Sequence, residues 1–156
     1  MKLTAKGRYA VMAMTDLAAQ TVKGGAEAVV SLADISERQK ISQSFLEQLF
    51  RQLRHAGLVE SQRGAEGGYK LTQPADSLDL AQIIKAVDVE IKAHGCTPET
   101  KISCTGKSGH CLTHNLWGAL ESHIGNFMAS VTLADVLAGR VSPSAMEVAA
   151  TLEAAQ

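Results

Sequence analysis

The sequence has few aromatic residues, few prolines and no long hydrophobic run. Aromatic side chains make up 4% of the 156 residues, and three prolines occur. Ala, Leu, Ile and Val therefore supply most of the 46% hydrophobic content, which favours helices packed on helices and argues against disorder. No apolar stretch approaches the roughly 20 residues that a bilayer-spanning helix needs, so the sequence predicts no transmembrane segment.

The N-terminal residues lack the features of a secretory signal peptide. Residues 1–20, MKLTAKGRYAVMAMTDLAAQ, are amphipathic and contain no good small-residue cleavage site, so we expect a cytoplasmic protein. The chain has three cysteines, an odd number. In a reducing compartment this argues against a disulfide framework and favours metal or redox chemistry.

The net charge of −1 conceals an uneven distribution. Residues 1–70 carry ten Lys and Arg against seven Asp and Glu, whereas residues 71–156 carry five against nine. A basic N-terminal part is typical of a head that faces a polyanion. An excess this small is equally compatible with ordinary scatter, so charge alone does not decide between the two readings.

The first 57 residues contain the pattern of a helix-turn-helix. Apolar residues at helical spacing predict helices over 8–22 and 31–40, the second capped by Ser31 with Asp34 in the capping-box position. After the tight turn QKIS a longer helix follows, which we expect to end at Gly57.

This third helix has two candidate N-caps, Ser42 and Ser44, and Glu47 follows Ser44 by the three residues of a capping box. Its apolar residues define one predicted buried face: Phe45, Leu46, Leu49, Phe50 and Leu53.

A β-hairpin is predicted directly after the third helix. Residues 58–61 and 69–72 alternate in polarity, and the Gly-rich sequence RGAEGG at 63–68 connects them. A hairpin that follows a recognition helix is a wing. Its tip would present Arg63 and the backbone amides of Gly64, Gly67 and Gly68 to phosphates or to a minor groove.

The cysteines and most of the histidines cluster in one segment, residues 94–117. The candidate metal ligands are Cys96, Cys104, Cys111 and His114, with His94 and His110 as competing ligands. Cys111 and His114 are spaced to share one face of a helix start, where the helix dipole favours a thiolate. Three sulfurs and an imidazole suit zinc or an iron–sulfur cluster. The long gaps between cysteines favour the larger cofactor, because structural zinc sites usually space their cysteines closely.

The second half of the chain adds three further predicted helices. A linker helix covers residues 77–88, a long amphipathic helix covers 111–131, and Thr132 caps a last short helix. The long helix has a wide apolar face, so we expect it to mediate dimerisation; the alternative is packing against the first helix of its own chain. The tail from residue 140 to residue 156 is predicted to be disordered.

Three stretches resemble one known family: MKLTAKGRYAVMAMTDLA, the segment from residue 32 to residue 71 that includes RGAEGGY, and CLTHNLWGALESHIGNFMASVTLADVL. They are similar to the bacterial winged-helix transcription regulators that include IscR and NsrR, over residues 1–139. The resemblance implies a homodimer and a [2Fe–2S] cluster held by Cys96, Cys104, Cys111 and His114. It also implies control of cluster-assembly genes through palindromic operators in double-stranded DNA, with RNA polymerase as a further candidate partner.

The resemblance also implies a domain organisation and a set of DNA contacts. Residues 1–76 would form the winged helix-turn-helix domain, and 77–139 the linker helix, the cluster-binding loop (92–111) and the dimerisation helix. DNA contacts would come from the recognition helix and the wing: Ser42, Ser44, Glu47, Gln48 and Arg63. Charges suited to phosphates are carried by Lys6, Arg8, Arg51 and Arg54.

Glu47 has two predicted roles. A carboxylate accepts a hydrogen bond from the cytosine amino group but repels the acceptor-lined edges of other bases, so Glu47 would act as a negative filter on sequence. The alternative is the capping box with Ser44.

Two departures from the family pattern leave alternatives open. The gaps of seven and six residues between the cysteines are longer than usual, and Glu66 places an acid in the wing.

A regulator of the same build could sense nitric oxide, iron or redox state, and a zinc- or cluster-binding electron-transfer module is a reading from another class. No candidate nucleophile, base or substrate pocket accompanies the ligands, so we expect no enzymatic activity.

Overall fold

The computed structural model describes residues 5–25, 28–64, 67–87 and 112–141. Six helices and one hairpin follow in chain order: α1 (Ala5–Gly24), α2 (Leu32–Gln39), α3 (Gln43–His55), β1 (Val59–Gln62), β2 (Gly68–Leu71), α4 (Leu80–Ala86), α5 (His114–Ser130) and α6 (Leu133–Leu137). The two strands form an antiparallel sheet. The predicted fold class, mainly helical with a small β-hairpin wing after a helix-turn-helix, is confirmed.

Helix α1 lies at the centre of the hydrophobic core. It packs against α2, α3, α4, α6 and β2. The apolar spacing predicts that Val11, Met14, Leu17 and Ala18 share one face of this helix; Met14, Leu17 and Ala18 are fully buried, whereas Val11 is half-buried. Val131 and Leu133, which flank the junction of α5 and α6, join the same core cluster as the residues of α1 and α3. The junction of the last two described helices therefore packs on the helix-turn-helix.

The turn between α2 and α3 has a defined left-handed geometry. Ser31 caps α2 as predicted, because its Oγ accepts a hydrogen bond from the backbone N–H of Asp34 at 3.1 Å. Lys40 ends α2 with φ 56° and ψ 38°, and Ile41 is buried directly after it. Ser36 Oγ donates to the Ile41 carbonyl at 2.6 Å, which fixes the backbone where the chain turns.

Helix α3 begins one residue after Ser42 rather than after Ser44. Ser42 occupies the N-cap position but makes no side-chain capping hydrogen bond, and Ser44 is the second residue of the helix. The predicted capping box of Ser44 and Glu47 is therefore wrong. Of the two candidate N-caps, Ser42 is the one that holds the position.

The C-terminal end of α3 matches its prediction. Gly57 has φ 74°, and its N–H donates to the Arg54 carbonyl at 3.0 Å. The N–H of Leu58 donates to the Leu53 carbonyl at 3.0 Å, and both of these leucines are buried. This is a Schellman motif, in which glycine takes the left-handed position at the least conformational cost.

The hairpin pairs in the register Val59↔Leu71 to Gln62↔Gly68, one residue displaced from the predicted strands. A bridge between Val30 and Tyr69 adds a short third segment, with hydrogen bonds of 2.8 and 2.9 Å between their backbones. The Tyr69 ring packs on Phe50 with ring centroids 4.8 Å apart. The wing is therefore joined at its base to the recognition helix and to the segment that precedes α2.

Helix α4 begins at Leu80, later than the predicted start at Ser77. Asp79 is the N-cap, since its carboxylate accepts from the N–H of Gln82 at 2.8 Å. The apolar spacing of this helix predicts four inward residues, and all of them are buried: Leu80, Ile83, Ile84 and Val87. None of the helices that the structure describes is long and apolar enough to cross a bilayer.

Helix α5 begins at His114, whereas the sequence predicted a start at Cys111. Helix α6 has the predicted cap at Thr132, and Asp135 completes a reciprocal capping box with it. Residues 88–111, with the whole of the predicted cluster-binding loop, and residues 142–156 of the predicted tail lie outside the described residues. The division into domains stays a prediction.

Candidate nucleic-acid interface and cluster ligands

The recognition helix α3 has one buried face and one solvent-exposed polar face. Ser44, Glu47, Gln48 and Arg51 are exposed and lie at spacings that place them along one side of the helix. Leu46, Leu49, Phe50 and Leu53 are fully buried on the other side. Ser42 is exposed just before the helix. The predicted base-reading side chains thus share one surface.

Glu47 makes one local contact on this surface. Its carboxylate accepts a hydrogen bond from Gln43 Nε2 at 3.2 Å. Because Ser44 is not the N-cap, the capping role for Glu47 is excluded, and its carboxylate is solvent-exposed. Of the two roles that the sequence allowed, the role on the exposed face is the one compatible with this geometry.

The N-terminal end of α1 lies beside the start of α3. The rings of Tyr9 and Phe45 meet edge to face, with centroids 5.9 Å apart and an interplanar angle of 84°. The Arg8 guanidinium lies over the Tyr9 ring, 5.5 Å from its centroid. Arg8 is exposed and Lys6 is half-buried on the same helix. This contact brings the two predicted phosphate-directed charges of α1 towards the recognition helix.

The wing places Arg63 in solvent directly after β1. Arg54 Nη1, from the last turn of α3, donates to Ser61 Oγ on β1 at 3.3 Å and so connects helix and wing. The N–H of Gly67 donates to the Gly64 carbonyl at 3.0 Å, so this amide serves the turn rather than the predicted phosphate contact. A side chain at Gly67 would meet the Gln62 carbonyl oxygen at 2.7 Å. Residue 66, the acid in the wing, lies outside the described residues.

A buried carboxylate that the sequence analysis missed orients α2. Asp16 of α1 is 7% exposed and accepts hydrogen bonds from Arg38 and Gln39 in the last turn of α2. The hydrogen bond to Asp16 raises the pKa of Arg38 above its usual value. The available signal was an acid within the apolar stripe of α1, because a carboxylate there requires a partner.

Among the four predicted cluster ligands, His114 is the one that the structure describes. It is the first residue of α5 and is half-buried. Cys96, Cys104 and Cys111, like His94 and His110, lie outside the described residues. In the described part of the chain, no group of three or more His, Cys, Asp or Glu side chains could hold a metal ion. One turn beyond His114, Trp117 Nε1 donates to Thr113 Oγ1 at 3.2 Å.

The opposite end of α5 is joined to the start of α4 by backbone hydrogen bonds. The N–H of Leu80 donates to the Val131 carbonyl, and the N–H of Leu133 donates to the Leu78 carbonyl, both at 2.9 Å. The second half of α5 also packs on the core through Phe127 and Met128. A single helix of 17 residues, about 26 Å long, therefore connects His114 with the segment that precedes α4.

The apolar face of α5 becomes more exposed towards its N-terminal end. None of its residues is buried. Leu112 is fully exposed just before the helix, Leu116 is 60% exposed and Trp117 38% exposed, whereas Val131 is buried after its last residue. The helix packs against α4. Its first turns leave a large apolar surface in solvent.

Comparisons with known proteins identify the fold. The model of the Rrf2 family, described as iron-dependent transcriptional regulators, matches residues 3–139. The HTH-type transcriptional regulator IscR of Vibrio campbellii is 49% identical over 137 residues, which cover 88% of this chain and 77% of the relative. IscR of Photobacterium profundum is 48% identical over 137 residues, covering 88% and 76% of the two chains.

Two solved structures have the same architecture. IscR of T. potens superimposes with a TM-score of 0.70 at 36% identity, covering 89% of this chain and 88% of that one. CymR, the global cysteine regulator of B. subtilis, superimposes with a TM-score of 0.69 at 31% identity, covering 87% of this chain and 95% of that one. These relatives are transcription regulators rather than enzymes. The chain therefore belongs to the Rrf2 family of winged-helix, DNA-binding transcription regulators.

Proposed function

We propose that this protein is a homodimeric transcription regulator whose operator binding is controlled by a [2Fe–2S] cluster. The proposed ligands are Cys96, Cys104, Cys111 and His114. This donor set fits the cluster, because three thiolates and one imidazole supply the four ligands that two irons require. The fraction of protein that carries the cluster would depend on iron supply and on oxidants, and this fraction would be the signal. The family's description as iron-dependent and the similarity to IscR support the proposal.

The observation that carries this proposal is the position of His114. It opens the helix at whose far end Val131 and Leu133 are hydrogen-bonded to residues 80 and 78, at the start of α4. Helix α5 packs against α4, which in turn contacts α1 and α3, so a change at His114 would reach the recognition helix through these packed helices. An imidazole ligand is lost by protonation or displacement more easily than a thiolate, which suits a ligand in a sensor.

The exposed face of α3 would enter the major groove, where Ser42, Ser44, Glu47 and Gln48 reach base edges. Arg51, Lys6 and Arg8 would contact phosphates, and Arg63 would contact the backbone or minor groove from the wing. We propose that the protein acts in the cytoplasm and regulates the genes of cluster assembly. RNA polymerase would be a further partner at promoters. The proposed DNA-binding head comprises residues 1–76. The region from 77 to 139 would contain the linker helix, the cluster-binding loop 92–111 and the dimerisation helix α5.

The proposed dimer is supported by the apolar surface on the first turns of α5. One recognition helix reads few base pairs, and two related by a two-fold axis would read a palindromic operator. Leu116→Asp should convert the dimer to a monomer in sedimentation velocity, whereas Ser122→Asp on the same helix should leave the dimer intact. A monomeric wild-type protein would remove the dimer from the proposal.

The cluster is tested on anaerobically purified protein by visible absorbance with iron and acid-labile sulfide analysis. Fluorescence of Trp117, the one tryptophan of the chain, gives a second readout. We expect charge-transfer bands and quenched emission in the wild type, both lost in His114→Ala and retained in His123→Ala, a control in the same helix. Colourless protein that contains zinc, or no metal after reconstitution, would refute the cluster.

Control of DNA binding is tested by comparing the cluster-loaded protein with a triple Cys→Ala form. We expect at least one operator to discriminate between the two forms, and steep salt dependence of duplex binding in both. Equal affinities at every operator would remove the sensing role. The alternative in the same fold, a direct nitric oxide or redox sensor, predicts that nitric oxide or an oxidant changes binding while iron supply does not. Absence of salt-dependent duplex binding would favour an electron-transfer module.

A further inference from the structure

Lys40 has a backbone conformation that few non-glycine residues adopt. Its φ of 56° and ψ of 38° lie in the left-handed region. Among the described residues it is the one non-glycine with a positive φ. A side chain in this conformation brings Cβ close to the following carbonyl oxygen, so glycine or asparagine usually occupies such a helix end.

The neighbouring residues maintain this conformation from both sides. Before Lys40, Gln39 Nε2 donates to the buried carboxylate of Asp16 at 3.0 Å. After it, Ile41 is buried and its carbonyl accepts from Ser36 Oγ at 2.6 Å. The contacts of these two neighbours favour the left-handed turn independently of the Lys40 side chain. A lysine there costs conformational energy that a glycine would not, and such cost concentrates at functional positions.

The Lys40 side chain lies close to the start of the recognition helix. It is exposed, and it stands two residues before Ser42, the N-cap of the recognition helix. In helix-turn-helix complexes the N-terminal part of the recognition helix enters the major groove, so the preceding turn lies next to a phosphate strand. No carboxylate among the described residues forms an ion pair with Lys40.

We infer that Lys40 is a further DNA-binding residue, which contacts a backbone phosphate beside the major groove and is retained in a strained turn for that contact. The inference rests on the proposed placement of α3 in the major groove. The contact would position the recognition helix without reading bases, so its loss should weaken binding to all sequences to a similar extent.

The test compares Lys40→Gly and Lys40→Asn with the wild type on a 30-base-pair duplex enriched from a random library by the wild-type protein. Both variants remove the charge and tolerate the left-handed turn. We expect affinity to fall about five- to tenfold at 0.1 M salt, and the slope of log K against log salt to decrease by about 1. The thermal midpoint of Lys40→Gly should rise, because the glycine relieves the turn.

Two controls separate a local contact from a general charge effect. Lys40→Arg keeps the charge and should keep affinity and slope. Lys23→Gln removes one charge at the far end of α1 and should change neither. An unchanged slope in Lys40→Gly, beside normal wild-type binding, would overturn the contact while leaving the proposed function in place. A lower thermal midpoint in Lys40→Gly than in the wild type would contradict the claim that Lys40 strains the turn. Failure of the wild type to enrich any duplex would overturn both the contact and the proposed function.

Discussion

Asp16 in α1 and Arg38 in α2 form a two-pronged ion pair, with Nη2 2.7 Å from Oδ2 and Nε 3.0 Å from Oδ1. The Asp16 side chain is 5% exposed, whereas that of Arg38 is 37% exposed. The planar guanidinium matches the carboxylate, so the pair defines an orientation as well as a distance. It therefore sets the angle between α1 and the first helix of the helix-turn-helix.

Removal of this carboxylate should destabilise the protein. Asp16→Ala leaves Arg38 and Gln39 without their common acceptor, and we expect a loss of about 2–3 kcal/mol in the free energy of unfolding. Urea denaturation at constant m-value measures it. Glu60→Ala is the control: it breaks the Glu60–Lys70 pair of 3.1 Å on the exposed hairpin, for which we expect a loss below about 1 kcal/mol. Equal losses in the two variants would contradict the structural role of Asp16.

Replacement of Glu47 should broaden the range of sequences bound. The exposed carboxylate would repel acceptor groups on base edges and on phosphates, so Glu47→Ala should weaken discrimination at one base pair by about 1–3 kcal/mol and raise overall affinity. Binding to a panel of operators with single substitutions measures this. Glu37→Ala, which removes an exposed acid from α2, serves as the control. Unchanged discrimination between operators across the panel would contradict the prediction.

Gly68 of the wing should not tolerate a side chain. A Cβ there would lie 2.3 Å from the Val30 carbonyl oxygen and 2.9 Å from the Ser31 nitrogen. These are backbone atoms of the bridge between Val30 and Tyr69, so Gly68→Ala must displace the hairpin. We expect the free energy of unfolding to fall by about 2 kcal/mol or more, and DNA binding to weaken.

The matched control for Gly68 is a helical glycine in open surroundings. Gly118 of α5 has no atom within 4 Å of an added Cβ. Gly118→Ala should raise the free energy of unfolding by about 0.5–1 kcal/mol through helix propensity alone. Thermal denaturation of both variants measures the difference, and a stabilising Gly68→Ala would show that the hairpin does not pack on Val30 as described.

Asp135 should make stability depend on pH below 4. Hydrogen bonds from the Thr132 backbone N–H and hydroxyl, and then from Arg140, lower the pKa of this carboxyl from 3.8 to about 2. A pKa that is lowered by folding contributes stability that is fully present above about pH 4 and is lost as pH falls towards 2. Asp135→Asn should therefore be less stable than the wild type at pH 7. This difference in thermal midpoint should shrink between pH 4 and pH 2; a constant difference would contradict the assignment.

Local sequence signals predicted much of the framework. Ser31, Thr132 and Gly57 end or begin helices as expected, because each acts through the backbone within a few residues of itself. The exposed polar face of α3 was also predictable, since it is the complement of an apolar stripe at helical spacing. Local preference did not choose between Ser42 and Ser44 as the cap of α3, and the structure places Ser42 at the N-cap position.

Other features depend on partners that are distant along the chain. Asp16 and Arg38 are 22 residues apart, and the hydrogen bonds that join the end of α5 to the start of α4 connect residues 78–80 with 131–133. No short-range pattern encodes such pairings. The placement of Arg8 on Tyr9, and of Tyr9 against Phe45, likewise exists because α1 and α3 pack together.

The amino-acid sequence by itself determined the helical periods, the glycine at the end of the recognition helix, the hairpin after it and the grouping of soft ligands, because propensity, capping and spacing are local properties. Only the tertiary structure decided where α3 begins, that Lys40 is held left-handed, and that the helix opened by His114 ends on the winged head. These depend on buried contacts between segments far apart in the chain, where the free energy of packing overrides the local preference.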